Sequence, residues 1–230
     1  MMRLFDIKTN ILPRIDPNCD SISESLNYLK DFKNRNLEKI CSSPNFFDVG
    51  KNNLSDILID LQKEASKLEN FDIPEIFSSV IYPMNTNLVE FNNFITINNS
   101  NFIMCKFPTF GVPVNFYEKL RYLINNNYLP IITNIVYSPL GKNKKILNDL
   151  FEIGCLFDID INDFFEFKNK SAAKIIKFLE NQNSIITISG FNKINELEKS
   201  FERFSKQTGL ERDKLEHKYC WSNPNLIISN

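Results

Sequence analysis

Apolar residues along this chain recur in two rhythms, and the rhythms alternate. Short runs rich in β-branched and aromatic residues read as strands: 3–7 (RLFDI), 37–41 (LEKIC), 76–81 (IFSSVI), 102–107 (FIMCKF), 129–136 (LPIITNIV), 155–161 (CLFDIDI) and 184–189 (SIITIS). Residues 94–97 (FITI) form a further short candidate. Between these runs, apolar residues three and four apart mark helices. Ile22, Leu26, Leu29 and Phe32 line one over 21–35, capped by Asp20 or Ser21, with Glu24 three residues after Ser21. Leu54, Ile57, Leu58, Leu61, Ala65 and Leu68 line another over 53–70. Further helices are predicted over 115–125, 143–153, 170–181 and 193–208, with Gly154 and Gly209 as stops. The tail WSNPNLIIS carries an Asn-Pro pair expected to break a helix.

Strands alternating with helices imply parallel βα units. About seven such units over residues 1–230, with no visible linker or repeat, predict one α/β domain built as a distorted (β/α)7 barrel of the TIM type. A doubly wound open sheet is the alternative.

Composition narrows the function. The chain is 43% hydrophobic, enough for a sizeable core, and its 27 Lys+Arg nearly balance 28 Asp+Glu. A net charge of -1 provides no global field for nucleic acid or an anionic membrane. No apolar window approaches the ~18 residues of a transmembrane helix. Asp6, Lys8 and Arg14 interrupt the N-terminal apolar stretch, so no secretory signal is expected and the cytoplasm is the expected location. The five cysteines form no CxxC and read as reduced thiols; none is followed by the Arg that a cysteine-dependent phosphatase loop needs. His217 is the single histidine, glycine numbers only six, and Asn is abundant.

In a βα barrel, chemistry collects where strands run into the following loops. Those positions hold Lys8, Thr9 and Asn10; Ser43 and Asn45; Val80; Lys106; Asn134 and Tyr137; Asp158 and Asp160; Ser189, Gly190 and Asn192. The set is polar but poor in the His and carboxylate donors that catalytic divalent metals prefer. A lone His far along the chain also leaves no Ser/His/Asp or Cys/His arrangement in view.

The same strand ends carry a resemblance. The opening DIKTNILPRIDPNCDSISESL resembles that of bacterial tyrosine phosphatases of the polymerase and histidinol phosphatase (PHP) superfamily, found with capsule and exopolysaccharide genes. Members typically open with Asp-Ile-His-x-His, then Leu-Pro-Gly-Ile-Asp, then a helix with Glu-Ser-Leu. Asp6, Ile7, Leu12, Pro13, Ile15, Asp16, Glu24, Ser25 and Leu26 keep that pattern. Ser43-Pro44-Asn45 stands for Thr-Pro-His, Ser78-Ser79-Val80 for Gly-Ala-Glu, and Cys105-Lys106-Phe107-Pro108 for Ile-Glu-Phe-Pro. Further on, Tyr128 to Asn134 resembles Tyr-x-Pro-Val-Ile-Ala-His, Gly154-Cys155 matches a Gly-Cys strand, and Thr187 to Asn192 resembles Ile-Ala-Ser-Asp-x-His. The similarity spans nearly the whole chain.

The resemblance implies a PHP-like barrel and, in family members, a metal cluster, commonly manganese, that activates water against phosphotyrosine. Here the eight matched positions are Lys8, Asn10, Asn45, Val80, Lys106, Asn134, Gly190 and Asn192, and none keeps the family donor. The expectation is therefore a catalytically inactive homologue without catalytic residues, metal ligands or cofactor, acting as a binding or regulatory protein. The resemblance suggests the tail of a bacterial tyrosine kinase as partner. Lys8 and Lys106, with Asn10, Asn45, Asn134 and Asn192, are candidates for an anion-binding mouth. Alternatively, each lysine pairs with Asp6 or Asp16 as a structural bridge. An active phosphatase with a remodelled site, or an unrelated small-ligand role, are the competing functions.

Overall fold

Among the described residues, eight strands follow one another in chain order: β1 Leu4–Thr9, β2 Leu37–Ser42, β3 Glu75–Ser78, β4 Ile81–Pro83, β5 Phe102–Lys106, β6 Leu129–Thr133, β7 Leu156–Asp160 and β8 Ile185–Ser189. The computed structural model describes residues 3–229 apart from 18, 51–52, 69–71, 92, 163–169 and 192–196. The strands pair in parallel as two sheets, β1-β2-β3 and β4-β5-β6-β7-β8. The α-helices are α1 Ile22–Asn34, α2 Phe46–Val49, α3 Leu54–Ala65, α4 Phe116–Asn125, α5 Lys144–Glu152, α6 Lys170–Asn181, α7 Leu197–Thr208 and α8 Asn223–Ser229. At the start of α1, Ser21 Oγ accepts the Glu24 N–H at 3.3 Å, while the Glu24 carboxylate accepts the Asp20 N–H at 2.6 Å. Asp20 and Ser21 thus share the reciprocal cap that either alone was expected to supply.

Strand alternation sorts the core into two layers. Leu4, Ile40, Ile103, Ile132 and Phe157 pack with Leu29, Leu61, Leu120 and Leu147 of the helices. Phe5, Ile7, Cys41, Met104 and Ile131 belong to a second cluster, which includes Ile227 of α8.

A distorted, closed or nearly closed barrel was expected; the hydrogen bonding gives two parallel sheets, and no closed barrel is formed among the described residues. One break falls inside the predicted strand 76–81. After Ser78 the chain leaves β2: the Ser79 N–H reaches Ser42 O at 2.9 Å, the Ile81 N–H reaches Pro44 O at 2.9 Å, and β4 then pairs with β5. Ser79 and Val80, both buried, form this step from one sheet to the other. The other junction, between β1 and β8, is made by a side chain, described below.

Two further expectations need correction. Residues 94–97 are not a strand: the Ile95 N–H donates to Tyr82 Oη at 2.8 Å, and Ile97–Asn99 form a 3-10 turn. Their apolar pattern reflects Phe94, which packs among Tyr82, Phe91 and Tyr128. The Asn-Pro pair does not break the tail. A π-helical stretch, Lys214–Ser222, runs directly into α8, and the Asn223 N–H bonds Lys218 O five residues back. Pro224 follows in the first turn of α8, where a missing N–H costs little. This tail packs against β1 and β8. Among the described residues, no helix is long and apolar enough to cross a membrane.

Asparagine does much of the turning in this glycine-poor chain. Of the eight non-glycine residues described with positive φ, seven are Asn: 36, 98, 99, 115, 127, 134 and 183. Asn tolerates that region better than other side chains. The eighth is Arg14, at +67°, where the resembled opening has Gly.

Candidate functional site

The parallel order brings the C-terminal ends of the strands to one face, so the residues singled out at those ends share it. The densest chemistry is at β1, β7 and β8. Asp6, fully buried in β1, accepts the backbone N–H of Lys8 at 2.9 Å, of Gly190 at 3.1 Å and of Phe191 at 2.7 Å. Its carboxylate therefore ties the end of β8 to β1. Burial pushes its pKa up, and the bonds from Lys8 and Gly190 oppose that only in part.

Lys8 continues the cluster. Its ammonium lies 2.6 Å from Asp160 Oδ2 and 3.9 Å from Asp158 Oδ2, both on β7. The structural bridge considered for Lys8 thus exists, but its acids come from β7, far away in sequence. Asp158 also accepts Thr187 Oγ1 and Ser189 Oγ from β8, each at 2.8 Å. Burial pushes Asp158 up to about 6 against the pull of Lys8 and these hydroxyls. Burial acts on Asp160 too, but Lys8 and the amides of Asn162 outweigh it and hold that carboxyl below its ordinary range. Asn162 donates from its backbone to Asp160 at 2.8 Å and from Nδ2 to Gly190 O at 2.5 Å. Gly190 has φ +87°, and a Cβ there would overlap Asp160 Oδ1 and crowd Asn162 Nδ2. Only glycine fits that approach.

At β2 and β3 the contacts are neutral. Ser43 Oγ donates to Ile7 O at 2.8 Å and lies 2.7 Å from Ser79 Oγ. Asp16 accepts the Leu12 N–H at 2.7 Å and Ser42 Oγ at 3.5 Å, and burial pushes it up to about 6.

The anion-site candidates are distributed around this face. Asn10 is exposed on the loop after β1. Asn45, just after β2, donates to Asp48 at 2.9 Å. Lys106 ends β5 half-buried, in register with Thr133, so Asn134 follows closely beside it. Asn134 has φ +65°, ends β6 and donates to Phe107 O at 3.2 Å. Asn192 lies outside the described residues. Val80 is fully buried, His217 is exposed beside Ser222, and all five cysteines are buried. Asp158 and Asp160 are strand-end acids in the sequence but lie outside the eight positions matched by the resemblance. Two acids one residue apart on a buried strand, in a chain with a lysine at the end of β1, were the available signal.

The architecture, parallel strands with polar residues gathered at their C-terminal ends, is that of a mixed α/β protein built on parallel sheets. The sequence profile described as "Capsular polysaccharide synthesis, CpsB/CapC" matches residues 4–225, and the chain belongs to that family. Two solved structures are similar in fold. One comes from work on YwqE from Bacillus subtilis and CpsB from Streptococcus pneumoniae, described as metal-dependent tyrosine phosphatases. It matches with a TM-score of 0.78 and 16% identity, covering 99% of this chain and 95% of that one. The other is a phosphotriesterase homology protein from Escherichia coli, complexed with phosphate, with a TM-score of 0.60, 10% identity and 99% of both chains covered. No curated protein gives a significant match.

The metal dependence described for those phosphatases can be tested against the donors present here. Among the described residues, no group of three or more His, Cys, Asp or Glu is arranged to hold a metal ion. The carboxylates that do converge are already engaged: Asp6 by three N–H groups, Asp158 by two hydroxyls, and Asp160 by Lys8 and Asn162. A divalent ion takes oxygen ligands at ~2.0–2.6 Å. On Asp160 it would therefore crowd the ammonium, at a repulsion of about 2 kcal/mol at 4 Å even in water. The described donors do not fit a metal cluster.

Proposed function

We propose that this CpsB/CapC-family chain binds a partner in polysaccharide synthesis or export without hydrolysing phosphotyrosine. The observation that carries the reading is the seating of the Lys8 ammonium between Asp160 and Asp158, at the strand ends where phosphohydrolase chemistry would need an electrophilic metal. With only one histidine in the whole chain, a multi-histidine centre is out of reach of any side-chain rearrangement.

Binding finds support around the same face. Phe110, Val112 and Val114 follow β5 and are exposed at 88%, 56% and 77%, and Phe47 follows β2 at 63%. Exposed apolar residues in the segments that follow these two strands favour a protein partner. On this reading the partner is the tail of a bacterial tyrosine kinase, met in the cytoplasm. Lys106, half-buried at the end of β5, with Asn134 beside it offers the cationic, amide-bearing part of the contact.

The test is a phosphotyrosine peptide from such a tail, incubated with the full chain and added manganese. The expected result is binding that weakens several-fold in Lys106→Met, with no release of phosphate. Phosphate release that depends on manganese supports instead an active phosphatase with a remodelled site.

A further inference from the structure

We infer that the ends of β1, β7 and β8 form a socket for a primary alkylammonium, and that the socket is filled by the chain's own Lys8. Three features define it. Asp160 places one carboxylate oxygen 2.6 Å from the ammonium, and Asp158 places a second 3.9 Å away. Both carboxylates are held by other donors besides Lys8: Asp158 by Thr187 on Oδ1 and Ser189 on Oδ2, Asp160 by Asn162 on Oδ1, the oxygen that does not face the ammonium. The lysine side chain is 16% exposed, so the position it occupies is reachable from solvent. The seated cation is what distinguishes this from a bare acidic cluster. A carboxylate pair preorganised by neighbouring donors keeps its geometry when the cation is exchanged.

The chemistry specifies the ligand. An ammonium offers three N–H donors on a compact charge, which a quaternary ammonium lacks. Truncating Lys8 to alanine removes Cγ, Cδ, Cε and Nζ, which together correspond to n-propylammonium. The socket of Lys8→Ala is therefore expected to accept that ion from solution. The inference deepens the proposed function, because a site carrying its own tethered cation has no need of a metal to balance its acids.

The experiment is thermal unfolding of the full-length wild type, Lys8→Ala and Lys8→Ala/Asp160→Asn at pH 7.5. Each is measured with n-propylammonium chloride or with tetramethylammonium chloride at equal ionic strength. Loss of the cation beside two buried carboxylates is expected to lower the midpoint of Lys8→Ala by roughly 6 °C or more. Propylammonium is expected to restore at least half of that loss saturably, whereas tetramethylammonium does not. Neither salt should shift the wild type, and the double variant should not respond. A folded Lys8→Ala that ignores propylammonium, or a response equal in the wild type or double variant, overturns the inference. If Lys8→Ala does not fold, the single and double variants Lys8→Met and Asp160→Asn replace it: strongly non-additive losses support the socket, and additive losses overturn it. Manganese binding to the wild type would overturn the proposed metal-free function and leave the propylammonium result to judge the socket separately.

Discussion

The two sides of the strand-end face differ in how their polar groups are satisfied. At β1, β7 and β8, three buried carboxylates and one ammonium interlock with backbone amides and hydroxyls from different strands. After β3, β5 and β6, the corresponding positions are a buried Val80 at the sheet crossover, a half-buried Lys106 and an Asn134 that serves as a turn. The contrast separates charged groups locked together across three strands from a stretch of neutral or less deeply buried strand-end groups. Interlocked buried charge is costly to disturb, and half-exposed charge is cheap.

The largest expected effect is therefore at Asp6. Asp6→Ala leaves the N–H groups of Lys8, Gly190 and Phe191 without their acceptor, at a cost of about 3–5 kcal/mol in urea unfolding. Lys106→Met should cost within about 1 kcal/mol. Equal losses at the two positions would erase the contrast.

Acid titration comes next in size. Asp16 and Asp158 both sit at about 6 when folded, above the ordinary 3.8. Between those values the folded chain binds more protons than the unfolded one. Each group therefore adds stability as the pH falls from about 6 to about 4, and its ionisation above 6 counts against the fold. Asp160, held low, works in the opposite sense: its contribution persists above 3.8 and is lost as pH falls through its folded pKa. Asp16→Asn should remove roughly 1 kcal/mol or more of the gain between pH 6 and pH 4. A profile unchanged by that substitution would show that Asp16 does not titrate as described.

Arg14 gives the smallest effect and the opposite sign. With φ at +67°, its backbone occupies a region that costs an L side chain about 1–2 kcal/mol, so Arg14→Gly should stabilise the chain by about 1 kcal/mol. Loss of stability would show that the arginine side chain makes up for its backbone.

Local elements were legible because each helix and strand buries one face, which the apolar period reports directly. The Asn-Pro tail was misread because its helix changes from π to α spacing just before Pro224, removing the clash a proline usually brings. The split at Ser79 and Val80 was hidden because a step between sheets is as apolar as a strand. At the site, the single histidine and the strand-end lysines could be read from residue types alone. The pairing of Lys8 with its acids could not, because they are about 150 residues apart. Only the parallel order of β1, β8 and β7 brings them together. Seven asparagines, Asn134 among them, hold positive φ in turns, a role that their abundance in the sequence does not itself reveal.

The central claim concerns what occupies the strand ends, and manganese titration of the chelator-treated full chain, followed by calorimetry, tests it most directly. The account predicts no saturable heat and the same unfolding midpoint with and without the ion. Stoichiometric binding that raises the midpoint, and is abolished in Asp160→Asn, would contradict it.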